Sequence, residues 1–360
     1  MILYLIISFI AFSFTILSFL NKKDNVFFFL VFLLLIGIFA GSRYEIGGSD
    51  YFIYEIMYDA TSSDFSDIFY SNDMLLKITE KGYIFIMSVA KLIGLTFNEF
   101  LLVLGIGTAF GLFYLFNHYS QYLFFTLFIF LGKGFLYYFF TAQRQIIAII
   151  ICWFSIKYLI SRSFFKFLVL ILLASLFHIS AVFFLLLYLI KDFKFKNLTV
   201  LVLIVLAAIV GFLNIGPYLF NMLASIIPFA SGKLMNYSAG GGRINILNFA
   251  EMLPLLFIVI ANKKTLMNNT KFFNLFFNMF VLYILVNFAF IDFPIIIRLR
   301  GYLIIGYITI IAGIPYCFKG DYSKIIILVA FTLYFSAVYI RELLTFDKGE
   351  GYLPYNSFLF

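Results

Sequence analysis

Arginine and lysine occupy different parts of this chain, and the arginines are the residues best suited to bind an anion. The basic clusters on one side of the alternating apolar segments are lysines, with Arg162 as the exception. Guanidinium presents a fixed fork of donors that matches phosphate, and it stays charged in a partly dry site. A set of arginines on one side therefore indicates a polyanionic ligand, and a pyrophosphate fits best. On the other side of the apolar segments lie Arg43, Arg144, Arg243, Arg298, Arg300 and Arg341.

Five of these arginines are predicted to bind pyrophosphate: Arg43, Arg144, Arg243, Arg298 and Arg300. Arg144 is the clearest case, because it begins an apolar helical segment after Thr141 and Gln143. The first turn of a helix carries a partial positive charge that favours phosphate. A simpler interpretation stays open, in which Arg144 is an interfacial anchor and each other arginine pairs with a local carboxylate or a lipid phosphate.

His178 is a candidate base because it lies in a long apolar sequence, where an ionisable side chain is costly. An imidazole there could donate to a phosphate or accept a proton near neutral pH. The alternative is a structural hydrogen bond that closes a helical turn. The other histidine, His118, falls in a loop and is expected to be solvated, so the two histidines give no zinc signature.

Two acidic residues of one polar stretch, Asp50 and Glu80, are predicted to contact or deprotonate a sugar hydroxyl. Loop carboxylates are more often simply solvated, and that alternative stays open. Tyr51, Tyr54 and Tyr83 lie beside these acids and are predicted to stack on sugar faces.

Further along the chain, Glu251 lies inside an apolar segment, where an unpaired carboxylate is expensive. We expect it to pair with Arg243 or with a basic residue of a neighbouring helix. Asp292 precedes Arg298 and Arg300, so an ion pair between that aspartate and one of the arginines is the simple structural explanation there.

The elements that carry these residues must be membrane helices. The chain of 360 residues is 64% hydrophobic and 12% charged, with a mean hydropathy of +1.08. Soluble domains are nearer half apolar and about a quarter charged, so the composition excludes a soluble enzyme, a disordered chain and a nucleic-acid-binding module. Cys152 and Cys317 both lie in apolar runs and form no disulfide framework or metal cluster. The sequence predicts an all-α polytopic membrane protein.

About 20 apolar residues span a bilayer as a helix, and we predict about 12 transmembrane helices in a single integral membrane domain over residues 1–360. The first segment lacks a basic start and a cleavage site, so it is expected to be retained. The apolar segments are 2–20, 26–41, 83–95, 99–117, 121–140, 144–160, 164–177, 178–190, 197–215, 245–261, 272–291, 295–315 and 323–340.

Lysine clusters mark the cytoplasmic side, which leaves the acidic loop 42–82, with amphipathic stretches such as 51–57, and the flexible, glycine-rich loop 216–244 outside. This alternation requires residues 164–190 to form two short helices that turn near His178. It also requires that segment 83–95 does not cross the membrane, or that the chain breaks at Gly132-Lys133-Gly134.

At these motifs the sequence resembles the EpsG-like branch of the Wzy-type polysaccharide polymerases. The resemblance runs from about residue 40 to the end. One departure is the extra Gly47 before Gly48-Ser49-Asp50. The matching features are Arg43 followed by a Gly-x-Asp-Tyr-x-x-Tyr stretch at residues 48–54, Glu80-x-Gly82-Tyr83, Arg144-Gln145-x-x-Ala148, His178-x-Ser180-Ala181 and Pro354-Tyr355.

The resemblance implies a multi-pass glycosyltransferase of GT-C-like architecture in the bacterial inner membrane, with its active site facing the periplasm. Such an enzyme is an O-antigen polymerase. It joins oligosaccharide repeat units carried on undecaprenyl pyrophosphate to a growing polymer in lipopolysaccharide biosynthesis. It uses no nucleotide sugar, no cofactor and no known metal. The bilayer and a chain-length regulator of the Wzz type are the expected partners, and nucleic acid is not.

Two other functions stay open. An O-antigen ligase uses the same donor but transfers to lipid A. A lipid-linked oligosaccharide flippase would carry its charges along a path through the membrane, whereas the charges here collect at one face.

Overall fold

The computed structural model describes residues 1–21, 23–70, 72–215, 218, 222, 246–291 and 295–359, and only the backbone of 246–249 and 295–297. These residues form helices and no β-strand, as the all-α prediction requires. The helices, in chain order, are α1 (Ile2–Leu20), α2 (Val26–Gly41), α3 (Ser49–Ala60), α4 (Asp67–Tyr70), α5 (Met74–Ile78), α6 (Lys81–Leu92), α7 (Phe97–Tyr119), α8 (Leu123–Phe130), α9 (Gln143–Ile160), α10 (Phe164–Ser175), α11 (Leu186–Ile190), α12 (Asn197–Phe212), α13 (Ile246–Ala261), α14 (Lys263–Asn269), α15 (Phe273–Ala289), α16 (Ile295–Ala312) and α17 (Asp321–Thr345).

Within the described ranges, five helical segments are long and apolar enough to cross a membrane, and seven shorter helices are also apolar. The chain is therefore a multi-pass membrane protein. The count of about 12 spans, the single integral domain and the GT-C-like architecture stay predictions. The five long segments are Ile2–Leu20, Phe97–Tyr119, Gln143–Ile160, Arg298–Cys317 and Asp321–Gly349.

The chain divides into two compact units. The first comprises Met1–Val182 and Lys319–Phe360, and the second comprises Phe183–Phe318. In the first unit, α2 and α7 approach closely because glycines line their contact. A Cβ on Gly105 would lie 2.4 Å from the Gly37 carbonyl oxygen. Small residues allow membrane helices to pack backbone to backbone in this way.

The helix geometry decides one of the two alternatives left open by the sequence. The helix that begins as α8 continues without a break as π-helical turns over Leu131–Phe135 and Tyr137–Thr141, so the proposed break at Gly132-Lys133-Gly134 is wrong. Gly132 instead packs against α17, where a Cβ would lie 2.8 Å from the Phe335 carbonyl oxygen.

The other alternative was that the apolar segment 83–95 does not cross the membrane. This segment corresponds to α6, which has 12 residues. At 1.5 Å per residue it is about 18 Å long, too short to span a bilayer core of about 30 Å. This length favours a helix that does not cross, and the placement in the membrane stays a prediction. The turn near His178 is confirmed, since α10 ends at Ser175 and a 3-10 helix begins at Ile179.

The loop 42–82, which is predicted to lie outside and is called the outer loop below, contains helices. Its amphipathic stretch is helix α3, which buries Tyr51 and Tyr54 on one face and exposes Phe52 and Ile56 on another. The loop 216–244 lies outside the described residues, apart from positions 218 and 222.

The C-terminal tail is joined to the start of this outer loop. Tyr44 N–H donates to the Asn356 carbonyl at 3.0 Å, and Phe358 N–H donates to the Ser42 carbonyl at 3.0 Å. The Tyr355 ring stacks on Phe39 at 4.3 Å between centroids. Residues 352–358 therefore hold the segment that carries Arg43.

Candidate functional site

The N-terminal ends of α6 and α9 meet at an ion pair. Arg144 Nη1 lies 2.6 Å from Glu80 Oε2, and the two side chains are 25% and 10% exposed. Glu80 precedes α6, and Arg144 is the second residue of α9. The structure thus brings together two of the residues predicted from sequence to act on different substrates.

Arg144 also has donor capacity that the described residues do not use. Its guanidinium carbon lies 5.6 Å from the centre of the Tyr54 ring. Its Nε is buried and has no hydrogen-bond partner among the described residues. Buried donors are nearly always paired, so this nitrogen marks a place where an acceptor is expected.

Gln143 is the functional candidate that sequence reasoning missed. It is 5% exposed, and its Oε1 accepts a hydrogen bond of 3.1 Å from the Tyr83 hydroxyl. Its Nε2 is buried and finds no acceptor in the described part of the chain. Gln143 directly precedes Arg144, at the first position of α9, and a polar side chain at that position was the available signal.

The N-terminus of α9 adds a third source of donors. No side chain caps this helix, because the N-cap residue is Ala142. The first N–H groups of a helix have no intrahelical acceptor and carry a partial positive charge. The uncapped end of this 18-residue helix therefore presents donors beside those of Gln143 and Arg144. An oxyanion is the ligand that such a set attracts.

Arg43 lies beside these donors, but its guanidinium is hydrogen-bonded to backbone carbonyl oxygens. Its guanidinium donates to the carbonyl oxygens of Ala40 at 2.6 Å, Ile46 at 3.1 Å and Phe140 at 3.4 Å. Burial lowers the pKa of Arg43 to about 10, so the side chain remains charged at neutral pH. Arg43 thereby ties the outer loop to the helical turns that lead into α9. A role for it in binding pyrophosphate stays a prediction.

A small cleft joins Arg43 to Gln143. Thr108 and Tyr138 complete its polar lining. The remaining walls are mainly apolar side chains of α7 and α9. Arg43 and Gln143 thus line the same cleft.

The three tyrosines predicted to stack on sugars lie in the core beneath this cluster. Tyr51 and Tyr83 are fully buried, and Tyr54 is nearly so. The rings of Tyr54 and Tyr83 are 5.5 Å apart. Burial raises the pKa of Tyr83, so its hydroxyl stays protonated and can donate to Gln143. These contacts position the polar cluster, and contact with a sugar stays a prediction.

His178 is joined to the cluster through backbone. Its Nδ1 lies 2.7 Å from Ser180 Oγ, and both residues are buried. Two residues earlier, the Leu176 carbonyl accepts a hydrogen bond of 2.7 Å from Gly82 N–H at the start of α6. The turn that carries His178 is therefore fixed against the helix end that carries Glu80. Asp50 lies in the first turn of α3 and is half-buried.

The other arginines predicted to bind pyrophosphate belong to the second unit or lie outside the residues that the structure describes. Arg298 and Arg300 are on α16, and Arg300 Nη1 lies 3.4 Å from Asn287 Oδ1 on α15. In the same unit Glu251 accepts a hydrogen bond of 2.7 Å from the Tyr307 hydroxyl. Arg243 and Asp292, and with them the ion pairs predicted for these two residues, fall outside the described residues.

Comparison with known proteins identifies the kind of chain that carries this site. The model of the EpsG family matches residues 25–357, which include the predicted motifs, and the resemblance to that family is confirmed. No curated protein and no solved structure matches the sequence.

Proposed function

Because the chain belongs to the EpsG family, we propose that it is a membrane glycosyltransferase that builds a polysaccharide. It would be an O-antigen polymerase of the Wzy type, working at the periplasmic face of the bacterial inner membrane. Its donor would be an oligosaccharide repeat unit or growing polymer on undecaprenyl pyrophosphate. Its acceptor would be a hydroxyl of a second lipid-linked repeat unit.

One observation carries the proposal: the N-terminus of α9 gathers donors whose acceptor is absent among the described residues. Gln143 Nε2 and Arg144 Nε are both buried and unpartnered, and no side chain caps the helix. Donors that are fixed in place and partly shielded from water stabilise a developing negative charge more strongly than water does. A pyrophosphate leaving group develops such a charge.

The proposed reaction transfers the donor sugar to the acceptor hydroxyl. The anomeric carbon–oxygen bond breaks, and its electron pair leaves with undecaprenyl pyrophosphate. Arg144 and Gln143 bind the departing phosphate oxygens. Glu80, Asp50 or His178 accepts the proton of the hydroxyl that attacks. In the second unit, Arg298 and Arg300 stay proposed ligands for the same kind of anion.

The direct test is substitution of Arg144 in cells that depend on this gene for polymer. Arg144→Ala is expected to lower polymer about 100-fold or more, because it removes a charged donor to the leaving group. Single repeat units should still reach lipid A. Arg144→Lys should restore only part of the activity, since an ammonium lacks the guanidinium fork. Gel analysis of lipopolysaccharide measures both products.

The exposed Arg341 on α17 supplies a matched control. Arg341→Ala should leave the polymer ladder unchanged. Normal chain lengths in Arg144→Ala would remove Arg144 from the mechanism. The same gel separates the other functions, because loss of a ligase strands polymer on undecaprenyl pyrophosphate and loss of a flippase removes surface polysaccharide altogether.

A further inference from the structure

The ion pair between Glu80 and Arg144 joins a candidate base to the candidate phosphate ligand. The Nη1 to Oε2 distance of 2.6 Å is that of a short, charge-assisted hydrogen bond. A carboxylate held by a guanidinium is a poor proton acceptor, because the positive charge stabilises its ionised form. Glu80 is therefore suppressed as a base in the conformation described.

An incoming pyrophosphate would change this arrangement. It would approach the same guanidinium, on which Nε is the donor without a partner in the described residues. Two anions on one guanidinium repel each other, and a like charge nearby favours protonation of a carboxylate. Binding of the donor should therefore weaken the hold of Arg144 on Glu80 and make the carboxylate a stronger proton acceptor.

The position of Glu80 allows such a change. It lies at the N-cap of α6, outside the helix, and its side chain does not cap that helix. Movement of the carboxylate away from Arg144 would therefore break no side-chain cap of α6. Its side chain is 10% exposed, so the pair is mostly shielded from water, and each of its charges acts strongly on the other.

We propose that Glu80 is the base that accepts the proton of the acceptor hydroxyl, and that Arg144 masks it until the lipid pyrophosphate donor binds. This inference rests on the proposed function. It makes the reaction ordered, because the acceptor is activated only when a donor is in place.

The step balances as follows. The Glu80 carboxylate takes the proton of the acceptor hydroxyl, and the oxygen forms a bond to the anomeric carbon of the donor. The bond from that carbon to the phosphate oxygen breaks, and its electron pair leaves with undecaprenyl pyrophosphate. Arg144, released from Glu80, neutralises the added charge on the leaving group.

The test separates binding of the anion from polymer formation in Glu80→Gln. The carboxamide keeps nearly the same shape but lacks the charge that competes with phosphate. The full-length variant in nanodiscs should bind undecaprenyl pyrophosphate threefold to tenfold more tightly than the wild type. In cells it should form at least 100-fold less polymer, the usual scale of general-base catalysis. Asp59→Asn, an exposed acid on α3, is the control and should change neither quantity.

Each other outcome has a defined meaning. Weaker binding by Glu80→Gln would show that the carboxylate holds Arg144 in place, and it would overturn the masking. Polymer within tenfold of the wild type would overturn the base. Equal binding by the wild type and Arg144→Ala would instead remove the anion site, and with it the proposed function. If Glu80→Gln does not fold, Glu80→Ala, which also lacks the carboxylate, is judged by the same criteria.

Discussion

Arg43 directs its guanidinium at three backbone carbonyl oxygens, whereas Arg144 directs its guanidinium at the Glu80 carboxylate. The two side chains lie in the same compact unit, and both were predicted from the sequence to bind pyrophosphate. Their partners separate them, because carbonyl groups fix a cation in the fold and a carboxylate can exchange with another anion. The nature of the partner depends on distant residues such as Phe140, which composition and spacing do not specify.

At this scale, Gln143 gives a prediction. Gln143→Leu keeps the side-chain volume but removes the amide nitrogen and the contact with Tyr83. We expect binding of undecaprenyl pyrophosphate to weaken about 10- to 100-fold, because one buried hydrogen bond to a charged group contributes about 1.5 to 3 kcal/mol. Binding to protein in nanodiscs measures the effect.

Tyr83→Phe is the paired variant for that measurement. It removes the hydroxyl that orients Gln143 and leaves the amide nitrogen in place, so its effect on binding should be smaller. A Gln143→Leu protein that binds as tightly as the wild type would show that Nε2 faces no ligand.

At the scale of elements, the contact between α6 and the turn after α10 depends on one glycine. A Cβ on Gly82 would lie 2.7 Å from the Leu176 carbonyl oxygen, which is backbone and cannot rotate away. We expect Gly82→Ala to lower the free energy of unfolding by about 1 to 3 kcal/mol, as overpacking does. It should also lower polymer, because both Glu80 and His178 would be displaced. Thermal unfolding and lipopolysaccharide gels measure the two effects.

The control for that prediction is Gly107→Ala in α7. A Cβ at Gly107 meets nothing within 4 Å, and alanine favours a helix over glycine by about 1 kcal/mol. This variant should be as stable as the wild type or slightly more so. Equal behaviour of the two alanine variants would contradict the importance of the contact at Gly82.

Elements were predictable where the sequence contains a local signal. The turn at His178 follows from a polar residue placed within apolar sequence, and it is present. The amphipathic stretch 51–57 follows from its alternation of polar and apolar residues, and it forms part of α3. The π-helical turns over residues 131–141 were not predicted, because an apolar run of sequence is compatible with either an α-helix or a π-helix. The need for glycine at position 132 follows from its close contact with Phe335 of α17, which no local pattern in the sequence indicates.

At the scale of the whole molecule, the predicted arginine set divides. Arg43 and Arg144 belong to the first unit, and Arg298 and Arg300 to the second. Hydropathy and lysine placement assign these arginines to one side of the membrane. Membership of a compact unit depends on packing between distant helices. The return of residues 319–360 to the first unit is an arrangement that no local pattern specifies.

That return gives a prediction for the tail. Deletion of residues 353–360 removes hydrogen bonds that Asn356, Phe358 and Tyr355 make with the segment beside Arg43. Tyr355 makes two of these bonds, with the Phe39 carbonyl and the Ser42 hydroxyl. Loss of the four bonds should lower the free energy of unfolding by about 4 kcal/mol. Polymer should fall at least 10-fold although Glu80 and Arg144 are intact.

Thermal unfolding and the polymer ladder together test this prediction. Tyr355→Phe keeps the ring on Phe39 but loses the hydroxyl and its two hydrogen bonds, so it should cost about 2 kcal/mol and keep most of the polymer. Full activity in the shortened chain would show that the tail does not support the site.

The pairing of Ser42 and Tyr44 with Phe358 and Asn356 also has a consequence for biosynthesis. More than 300 residues are translated between the two halves of this contact. The Arg43 segment therefore emerges from the ribosome long before the residues that secure it. A nascent chain, or one released early by a premature stop codon, should meet lipid-linked sugars in the membrane without being able to join them.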